Sequence, residues 1–412
     1  MVKGFATRAI HGPASLRDPK GALRTPVYDS AAFEHESAEA LRLTFAGKKA
    51  AHVYSRISNP TVHDFEQRLG LLTGGIGVLA VSSGMAAISN TILALAGAGT
   101  NIVASKHMFG NTLSLFDRTL GPWGLEVKYV SMDDPAALAG AIDPETRAVF
   151  IETMSNPQLE VPDCRKISAI TRAHGVPLIL DNTLLTPYLF NSGDSGVDIE
   201  ILSSTKYISG GGTSVGGVII DNGNFDWRKA PRLRERAETL GRMALIAALR
   251  QEVYRNVGAC LSPHNAYLQS LGLETMSLRI DKSCANALAT AAYLENHPLV
   301  KRVNYPGLAS SPYHELAGNQ FGGRFGGVLT FDLESRGQCF AFCDALRLIR
   351  RATNINDNKT LIIHPASTLF AEYSDEEKVD LGLRPTMLRL SAGIEDLPDL
   401  IADLEEGFNA LS

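Results

Sequence analysis

The most reactive arrangement in the sequence is a lysine that follows several hydroxyl residues at the end of a predicted strand. The apolar run Ile199–Leu202 leads into Ser203-Ser204-Thr205-Lys206-Tyr207, and the glycine-rich stretch 210–217 comes next. A lysine amine there can form a Schiff base, while the hydroxyls and backbone N–H groups face a phosphate. Taken alone, such a lysine is more often a surface residue, and the glycine-rich stretch lacks the G-K-[ST] of a nucleotide-binding loop.

A carboxylate occupies the same kind of position after the preceding apolar run. Residues 176–180 are followed by Asp181-Asn182-Thr183. A carboxylate there can bond the nitrogen of a pyridine ring and keep it protonated, which makes the ring an electron sink. The simpler alternative is that Asp181 caps a helix. Lys206 at the end of the next predicted strand favours the functional interpretation.

A third segment predicts a strand, a tight turn and a helix. The run Gly77–Val81 is followed by Ser82-Ser83-Gly84-Met85-Ala86-Ala87. The start of a helix attracts anions through its free N–H groups and the positive end of its dipole, and glycine allows close approach. A methionine side chain is more often part of a core, so the N–H of Met85 matters more than its side chain. This segment therefore predicts a phosphate site.

The scaffold for these groups is predicted from the hydrophobic pattern between about residues 60 and 220. Apolar, β-rich runs alternate there with helical patterns, which predicts an α/β fold with a mostly parallel sheet and helices on both faces. Such sheets bind ligands beyond the carboxyl ends of their strands, where the candidate residues stand. The predicted strands are Gly77–Val81, 102–105, 127–130, 148–151, 177–180, Ile199–Leu202 and 217–220.

The rest of the chain predicts an arm and a smaller domain. Residues 1–55 carry turn formers without a long periodic stretch, which favours an arm lying across another surface; the alternative is a frayed terminus. The charged, helical stretch 222–255 leads into a long helix from near Ser262 or Pro263 that bridges two domains. Helical patterns around the β-like segments 327–331, 360–364 and Met387–Ser391 predict a C-terminal α/β domain. The expected units are an arm, 1–55, a cofactor-binding domain, 56–255, and a C-terminal domain, 256–412.

Composition excludes several other classes of protein. The 412 residues carry 39 basic and 44 acidic side chains and a net charge of −5, which favours neither nucleic acid nor a membrane surface as a partner. The sequence has no apolar stretch of bilayer length and no apolar segment at its start, so we expect a cytoplasmic protein. The cysteines form no C-x-x-C pair and lie near no histidine at metal-ligand spacing, so we expect reduced, buried thiols and no metal. They are Cys164, Cys260, Cys284, Cys339 and Cys343.

Seven short motifs occur in one order along nearly the whole chain, and together they resemble one known family. The chain is similar to the Cys/Met-metabolism enzymes of the cystathionine γ-synthase family, which depend on pyridoxal 5'-phosphate (PLP). This resemblance implies the PLP-dependent transferase fold of type I, an αβα sandwich with a smaller C-terminal α/β domain. The motifs are Tyr54-Ser55-Arg56-Ile57-Ser58-Asn59-Pro60-Thr61, Ser83-Gly84-Met85-Ala86-Ala87, Ser155-Asn156-Pro157, Asp181-Asn182-Thr183, Ser203-Ser204-Thr205-Lys206-Tyr207, His364-Pro365-Ala366-Ser367 and Arg389-Leu390-Ser391-Ala392-Gly393-Ile394-Glu395.

The resemblance also implies a role for individual residues. Lys206 would form the Schiff base with PLP and then move protons, and Asp181 would pair with the pyridine nitrogen. Arg389 would grip the substrate's α-carboxylate, a task that suits a planar, two-pronged donor; the alternative is a surface ion pair. The implied catalytic residues are Lys206, Asp181 and Phe109. The implied cofactor-binding residues are Tyr54, Arg56, Ser83, Gly84, Met85, Phe109, Asn156, Asp181, Thr183, Ser203, Thr205 and Lys206, and the substrate-binding residues are Asn354, Arg389 and Tyr54.

Part of this site is expected to come from a second copy of the chain. In the family, the residues at Tyr54 and Arg56 reach the phosphate from the neighbouring subunit. The resemblance therefore implies a homodimer that completes the site, and the habit of the family favours a homotetramer of two such dimers. Asn156 would lie near the phenolic oxygen of PLP, and the phosphate would be held by Gly84, Met85, Ser203 and Thr205.

Two departures from the family pattern argue against methionine γ-lyase activity. A tyrosine usually stacks on the PLP ring, but Lys106-His107-Met108-Phe109-Gly110-Asn111-Thr112 places Phe109 there. If the missing hydroxyl served as a general acid, its loss costs roughly 10²- to 10⁴-fold in that step, unless Lys206 or water replaces it. Methionine γ-lyases also tend to carry a cysteine where this chain has Asn111.

Two further segments favour the branch of homocysteine synthases that use O-acetylhomoserine. Residues 221–227 and 261–266 resemble that branch, and so does Ala352-Thr353-Asn354-Ile355-Asn356-Asp357, although Asn356 replaces a common glycine. Gly211 stands where many relatives have histidine. The expected reaction is γ-replacement of acetate by sulfide or a small thiol, which gives homocysteine or methionine. The alternatives are a methionine γ-lyase, a cystathionine γ-synthase or γ-lyase, an O-succinylhomoserine sulfhydrylase, and a PLP-fold binding module.

Overall fold

The protein is built around two β-sheets. The computed structural model describes residues 4–13, 18 and 20–411. The larger sheet has the strand order β1-β7-β6-β5-β4-β2-β3, and the smaller has β10-β11-β12-β9-β8. The strands are β1 (Gly77–Val81), β2 (Thr100–Ser105), β3 (Leu125–Val130), β4 (Thr146–Glu152), β5 (Leu178–Asp181), β6 (Ile199–Leu202), β7 (Gly217–Asp221), β8 (Arg302–Asn304), β9 (Val328–Asp332), β10 (Arg350–Arg351), β11 (Leu361–Ile363) and β12 (Met387–Ser391).

The helices cover both faces of the larger sheet and one flank of the smaller. They are α1 (Phe5–His11), α2 (Ala38–Phe45), α3 (Pro60–Thr73), α4 (Gly84–Leu95), α5 (Gly110–Ser114), α6 (Pro135–Ala141), α7 (Cys164–His174), α8 (Thr186–Leu189), α9 (Arg234–Leu240), α10 (Ala244–Ala248), α11 (Tyr254–Val257), α12 (Pro263–Glu274), α13 (Met276–Glu295), α14 (His314–Phe321), α15 (Arg336–Ala345), α16 (Asp375–Asp380) and α17 (Leu397–Asn409).

The larger sheet is buried on both sides, which explains its unbroken apolar strands. Along β4, Val149 and Ile151 belong to one core cluster, while Ala148 and Phe150 belong to another. Successive side chains of a strand point to opposite faces, so each cluster lies on its own side of the sheet. The predicted α/β fold with a mostly parallel sheet is confirmed, and all seven predicted strands of this sheet are present.

Strand direction brings the candidate residues to one edge of this sheet. Strands β3, β2, β4, β5 and β6 run parallel, and β7 runs antiparallel to both β6 and β1. Strand β1 is therefore parallel to β6, and the carboxyl ends of β1, β4, β5 and β6 lie at the same edge. The first residue of β7, Gly217, lies there too, because it pairs with Val81 at the end of β1.

The smaller sheet contains two strands that the pattern did not predict. The predicted segments 327–331, 360–364 and Met387–Ser391 correspond to β9, β11 and β12. Strands β8 and β10 are only three and two residues long, too short for an alternating pattern to stand out. The predicted long helix is two helices, because the chain leaves the helical conformation at Thr275 between α12 and α13. Helix α12 packs on α3 and α13 packs on β8 and β9, so the pair bridges the two sheets.

The predicted arm lies partly outside the described residues, which exclude 1–3, 14–17 and 19. Its described part does pack on the rest of the protein. In α1, Ala9 is buried and the Arg8 guanidinium donates to the Leu71 carbonyl at 2.8 Å. Further along, Ala32 forms an antiparallel bridge with Tyr54. These contacts argue against the alternative of a frayed terminus for this part of the chain.

The cysteines are free, but one prediction about them is wrong. Cys260 is only half-buried, because it lies outside the strands in a bridge with Val81, whereas the other four are buried. Within the described ranges, no cluster of His, Cys, Asp and Glu side chains could hold a metal ion. None of the helices described is long and apolar enough to cross a membrane.

Candidate active site

A cavity of about 280 Å³ opens at the carboxyl edge of the larger sheet, near the lower end of the range for ligand pockets. Eleven of the predicted site residues line it: Ser83, Gly84, Met85, Phe109, Asn156, Asp181, Thr183, Ser203, Thr205, Lys206 and Arg389. Six further lining residues were not predicted: Ile88, Glu152, Leu184, Val215, Thr353 and Ile355. Residues far apart in the sequence therefore form one site.

One end of the cavity is a cradle for an anion. Ser83 caps α4 by accepting the Ala86 N–H at 3.0 Å, so the earlier N–H groups of Gly84 and Met85 are left for a ligand. The turn after β6 lies close by: a Cβ at Gly84 would stand 2.7 Å from the Ser203 Cβ. Glycine is needed at position 84, because any side chain would push the two anion-binding segments apart.

Two threonines fix the turn that carries the lysine. The Thr183 hydroxyl accepts the Ser203 N–H at 2.7 Å and joins the ends of β5 and β6. The Thr205 hydroxyl accepts the Gly216 N–H at 3.1 Å and donates to the Gly216 carbonyl at 3.2 Å. These bonds hold the turn against the start of β7, so Lys206 projects into the cavity.

Asp181 is a half-buried carboxylate at the end of β5. It accepts the Thr183 N–H at 2.9 Å. Burial raises the pKa of Asp181, while Thr183 and the nearby charge of Lys206 act in the opposite direction. A carboxylate in such surroundings gains from a cationic partner, and a protonated pyridine nitrogen is one.

Lys206 is held by the predicted substrate-binding residue Asn354. Its Nζ donates to the Asn354 Oδ1 at 2.6 Å, and the Asn354 amide donates to Asp357 at 3.0 Å. Burial lowers the pKa of Lys206 to about 8, and the positive charge of Arg389 contributes in the same direction. Asp357 and Asp181 oppose this shift. The amine is therefore far more often neutral, and nucleophilic, near pH 7 than an ordinary lysine.

We expect the rate at which the apoenzyme captures PLP to rise with pH and to level off above about 8. Only the neutral amine attacks an aldehyde, and an ordinary lysine would give a midpoint near pH 10.4. Stopped-flow absorbance after mixing apoenzyme with PLP measures this rate. In Asp357→Asn the midpoint should fall, because a negative charge that stabilises the ammonium is lost. A midpoint near 10 in the unmodified protein would contradict the prediction.

Arg389 is a buried cation without a carboxylate partner in the part of the chain described. Its guanidinium donates to the Asn156 Oδ1 at 2.9 Å and to the Thr353 carbonyl at 3.1 Å, while its Nε has no partner there. Burial lowers the pKa of Arg389. A surface ion pair, the alternative considered above, is ruled out because the side chain is only 2% exposed. Arg389 lines the cavity, and a guanidinium with an unused donor suits the carboxylate of an amino acid.

Tyr54 and Arg56 lie outside the cavity of their own chain. Tyr54 is 43% exposed, and the Arg56 guanidinium lies over its ring at 5.6 Å from the centroid. Arg56 also contacts the Arg255 carbonyl. Their predicted role at the phosphate is therefore not fulfilled within one chain, as expected if they serve the site of a second copy.

The residues that depart from the family pattern near the cavity are accommodated by the surrounding structure. Asn356, in place of a common glycine, has a φ of 55°, a conformation that asparagine tolerates better than other residues with a side chain. Its N–H donates to the Ser391 hydroxyl at 2.8 Å. At Gly211, an added Cβ would stand 2.6 Å from the Asn358 amide, so Asn358 fills the space beside this glycine. Asn111 is exposed and does not line the cavity.

The residues present fit PLP. The cradle with free N–H groups suits a phosphate, Lys206 suits the aldehyde, and the half-buried Asp181 suits the pyridine nitrogen. Phe109 provides an aromatic wall, and Arg389 remains for the carboxylate of a substrate. The fold and the site thus define an enzyme that processes amino acids on a lysine-bound cofactor.

Comparison with known proteins gives the family. The family model described as "Cys/Met metabolism PLP-dependent enzyme" matches residues 6–409. An O-acetyl-L-homoserine sulfhydrylase from Corynebacterium glutamicum is 38% identical over 99% of this chain and 97% of its own. An L-methionine gamma-lyase from Pseudomonas putida is 37% identical over 99% and 98%. A Campylobacter jejuni structure described as an O-acetylhomoserine (thiol)-lyase, with a pyridoxyl-lysine phosphate, has a TM-score of 0.93 and 35% identity over 99% of this chain and 100% of its own.

The chain belongs to the family of Cys/Met-metabolism PLP-dependent enzymes. It is thus a PLP-dependent enzyme, as the resemblance of its motifs implied. The sulfhydrylase and the lyase named above are 38% and 37% identical to this chain. A solved O-acetylhomoserine sulfhydrylase from Wolinella succinogenes is 45% identical over 98% of this chain and 100% of its own, with a TM-score of 0.79, so identity favours the sulfhydrylase.

Proposed function

We propose that the protein is an O-acetylhomoserine sulfhydrylase. It replaces the acetate of O-acetyl-L-homoserine by sulfide, or by a small thiol, and forms L-homocysteine or L-methionine. The observation that carries the proposal is a cavity that combines the cofactor cradle and Lys206 with Phe109, at a position where the family resemblance leads us to expect a tyrosine. Without that hydroxyl, Lys206 is the group in the described lining best placed to move protons.

Each step of the reaction has a residue in the cavity. Bound PLP supplies an electron sink for the negative charge that develops when protons leave the substrate. Arg389 binds the α-carboxylate and so presents the α-proton to Lys206. Lys206 removes that proton and then relays one from the β-carbon, after which acetate leaves from the γ-carbon and sulfide adds there. Lys206 then returns protons to the β- and α-carbons, which gives homocysteine. Apolar lining residues limit competing attack by water. They include Met85, Ile88, Leu184, Val215 and Ile355.

The charges of the cavity favour an acetyl over a succinyl leaving group. Among the described lining residues, Lys206 and Arg389 are the only cations, and both are committed to the cofactor and the α-carboxylate. Within the lining of one chain, the second carboxylate of a succinyl group would therefore find no cationic partner. We expect kcat/KM for O-succinyl-L-homoserine to be about 10- to 100-fold lower than for the acetyl ester.

The test uses purified protein with PLP and O-acetyl-L-homoserine, with and without sulfide. Homocysteine formed only with sulfide, and in excess over 2-oxobutanoate, is the expected result. Dominant 2-oxobutanoate, or its release from L-methionine, would instead favour the lyase. A parallel assay with O-succinyl-L-homoserine tests the leaving group.

We also propose that the active form is a homodimer, assembled further into a homotetramer. The exposed positions of Tyr54 and Arg56 outside their own cavity support the dimer. The proposed domain limits are 1–55, 56–255 and 256–412, and a cytoplasmic location stays a prediction.

A further inference from the structure

Glu152 is a second carboxyl group in the cavity wall, and none of the steps above uses it. It is the last residue of β4 and pairs with Asp181, the last residue of β5. Directly paired residues of a sheet point to the same face, so both carboxyl groups face the site. Glu152 is only 5% exposed. Burying a carboxyl group beside a second one is costly, so the contacts of Glu152 must offset that cost.

Those contacts are two backbone N–H groups from separate segments. One oxygen of Glu152 accepts the Phe109 N–H at 2.8 Å, and the other accepts the Asn156 N–H at 3.2 Å. A carboxylate is the one side chain with two acceptor oxygens and no donor. A glutamine would turn its amide N–H₂ towards one of the two backbone N–H groups, and that N–H group would lose its acceptor. The pair of N–H groups therefore accounts for a glutamate at this position.

Both segments carry groups of the active site. Phe109 lines the cavity as its aromatic wall. The Asn156 side chain accepts from the Arg389 guanidinium at 2.9 Å and so forms the base of the carboxylate clamp. Glu152 thus links the aromatic wall to the clamp through hydrogen bonds of normal length.

We infer that Glu152 is a positioning residue, which sets the placement of the Phe109 ring relative to the Asn156–Arg389 clamp. It holds the substrate's carboxylate and the cofactor ring in one fixed arrangement. This inference rests on the proposed function for the identity of the natural substrate, but the role of Glu152 concerns any α-amino acid that binds there.

The test is Glu152→Gln in the holoenzyme, with L-norleucine as the probe. L-norleucine has an α-carboxylate but no leaving group, so the change in the cofactor's spectrum during titration reports binding alone. We expect its Kd to rise about 10- to 100-fold, together with a changed visible circular dichroism of the bound cofactor. PLP should still bind, because the cradle at Ser83 and Ser203 does not contact Glu152.

Glu160→Gln is the matched control. Glu160 follows on the same segment, and its side chain bonds His107 at 2.8 Å without lining the cavity. An unchanged L-norleucine Kd and spectrum in Glu152→Gln, or equal changes in both variants, would overturn the inference. If Glu152→Gln does not fold, Glu152→Asp replaces it: the shorter carboxylate should weaken L-norleucine binding, and full affinity would overturn the inference. Failure of the proposed function alone would leave L-norleucine binding intact and show only as absent homocysteine.

Discussion

Lys206→Ala abolishes homocysteine formation and removes the visible absorbance of the bound cofactor. Lys206 is the only lysine in the described cavity lining, which also contains the phosphate cradle and Arg389. The variant loses both the covalent anchor of PLP and the base that moves protons. We therefore expect kcat to fall by about 10⁴-fold or more. Absorbance spectra and a turnover assay on the purified variant measure the two effects.

Lys359→Ala is the control for this prediction. Lys359 is an exposed lysine on the loop that also carries Asn354, and its side chain does not line the cavity. This variant should keep both absorbance and turnover. A Lys206→Ala enzyme with normal turnover would mean that the chemistry occurs elsewhere, and the assignment of the site would fail.

The same variant tests whether two copies of the chain complete one site. Lys206→Ala and Arg56→Ala chains are each expected to be defective. In a mixed dimer, one site has an intact Lys206 and receives an intact Arg56 from the other chain, so co-expression should restore activity. If each chain used its own Arg56, no complete site could form. Mixing therefore gives opposite results for the two arrangements.

Much of the fold could be predicted because its signals are local. The strands of the larger sheet are buried on both faces, so each appears as an apolar run, and the runs 148–151 and Ile199–Leu202 lie within or match β4 and β6. The short edge strand β10 could not be predicted, because its two residues are exposed arginines. These two arginines belong to the sheet because they pair with β11. Their own sequence carries no strand signal.

The candidate site could be predicted where a residue follows a strand directly. Asp181 ends β5 and Lys206 follows β6, and the parallel sheet brings both to one edge. Glu152 obeys the same rule, since it follows the predicted run 148–151, so the signal was present although the residue was not singled out. The bond from Lys206 to Asn354 could not be predicted from any local pattern, because it joins residues 148 positions apart.

Some hydrogen bonds within the site join segments of the chain that belong to different sheets. Arg389 is on β12 of the smaller sheet, whereas Asn156 follows β4 of the larger one. Their contact exists only after both sheets have formed and docked. Sequence motifs identified each residue, but the clamp they make together is a property of the folded chain.

Arg389→Lys lowers kcat/KM for O-acetyl-L-homoserine by about 10²- to 10³-fold. The guanidinium bonds Asn156 and Thr353 on one side and keeps its Nε free in the described surroundings. Lysine keeps the charge but lacks the planar, two-pronged donor set, so it cannot bond the wall and the carboxylate together. A misplaced carboxylate turns the α-proton away from Lys206, and kcat should fall as well as substrate affinity. Steady-state kinetics with sulfide at saturation separates kcat from KM.

Arg350→Lys is the matched exchange away from the site. Arg350 is an exposed residue of β10 and does not line the cavity, so the kinetics of the Arg350→Lys enzyme should be unchanged. The cofactor's absorbance should remain in Arg389→Lys, because the cradle and Lys206 are intact. A rise in KM with kcat unchanged would mean that Arg389 only increases affinity and does not orient the substrate. Normal kinetics in Arg389→Lys would mean that Arg389 does not bind the substrate. The unpartnered Nε of Arg389 would then need another anionic partner.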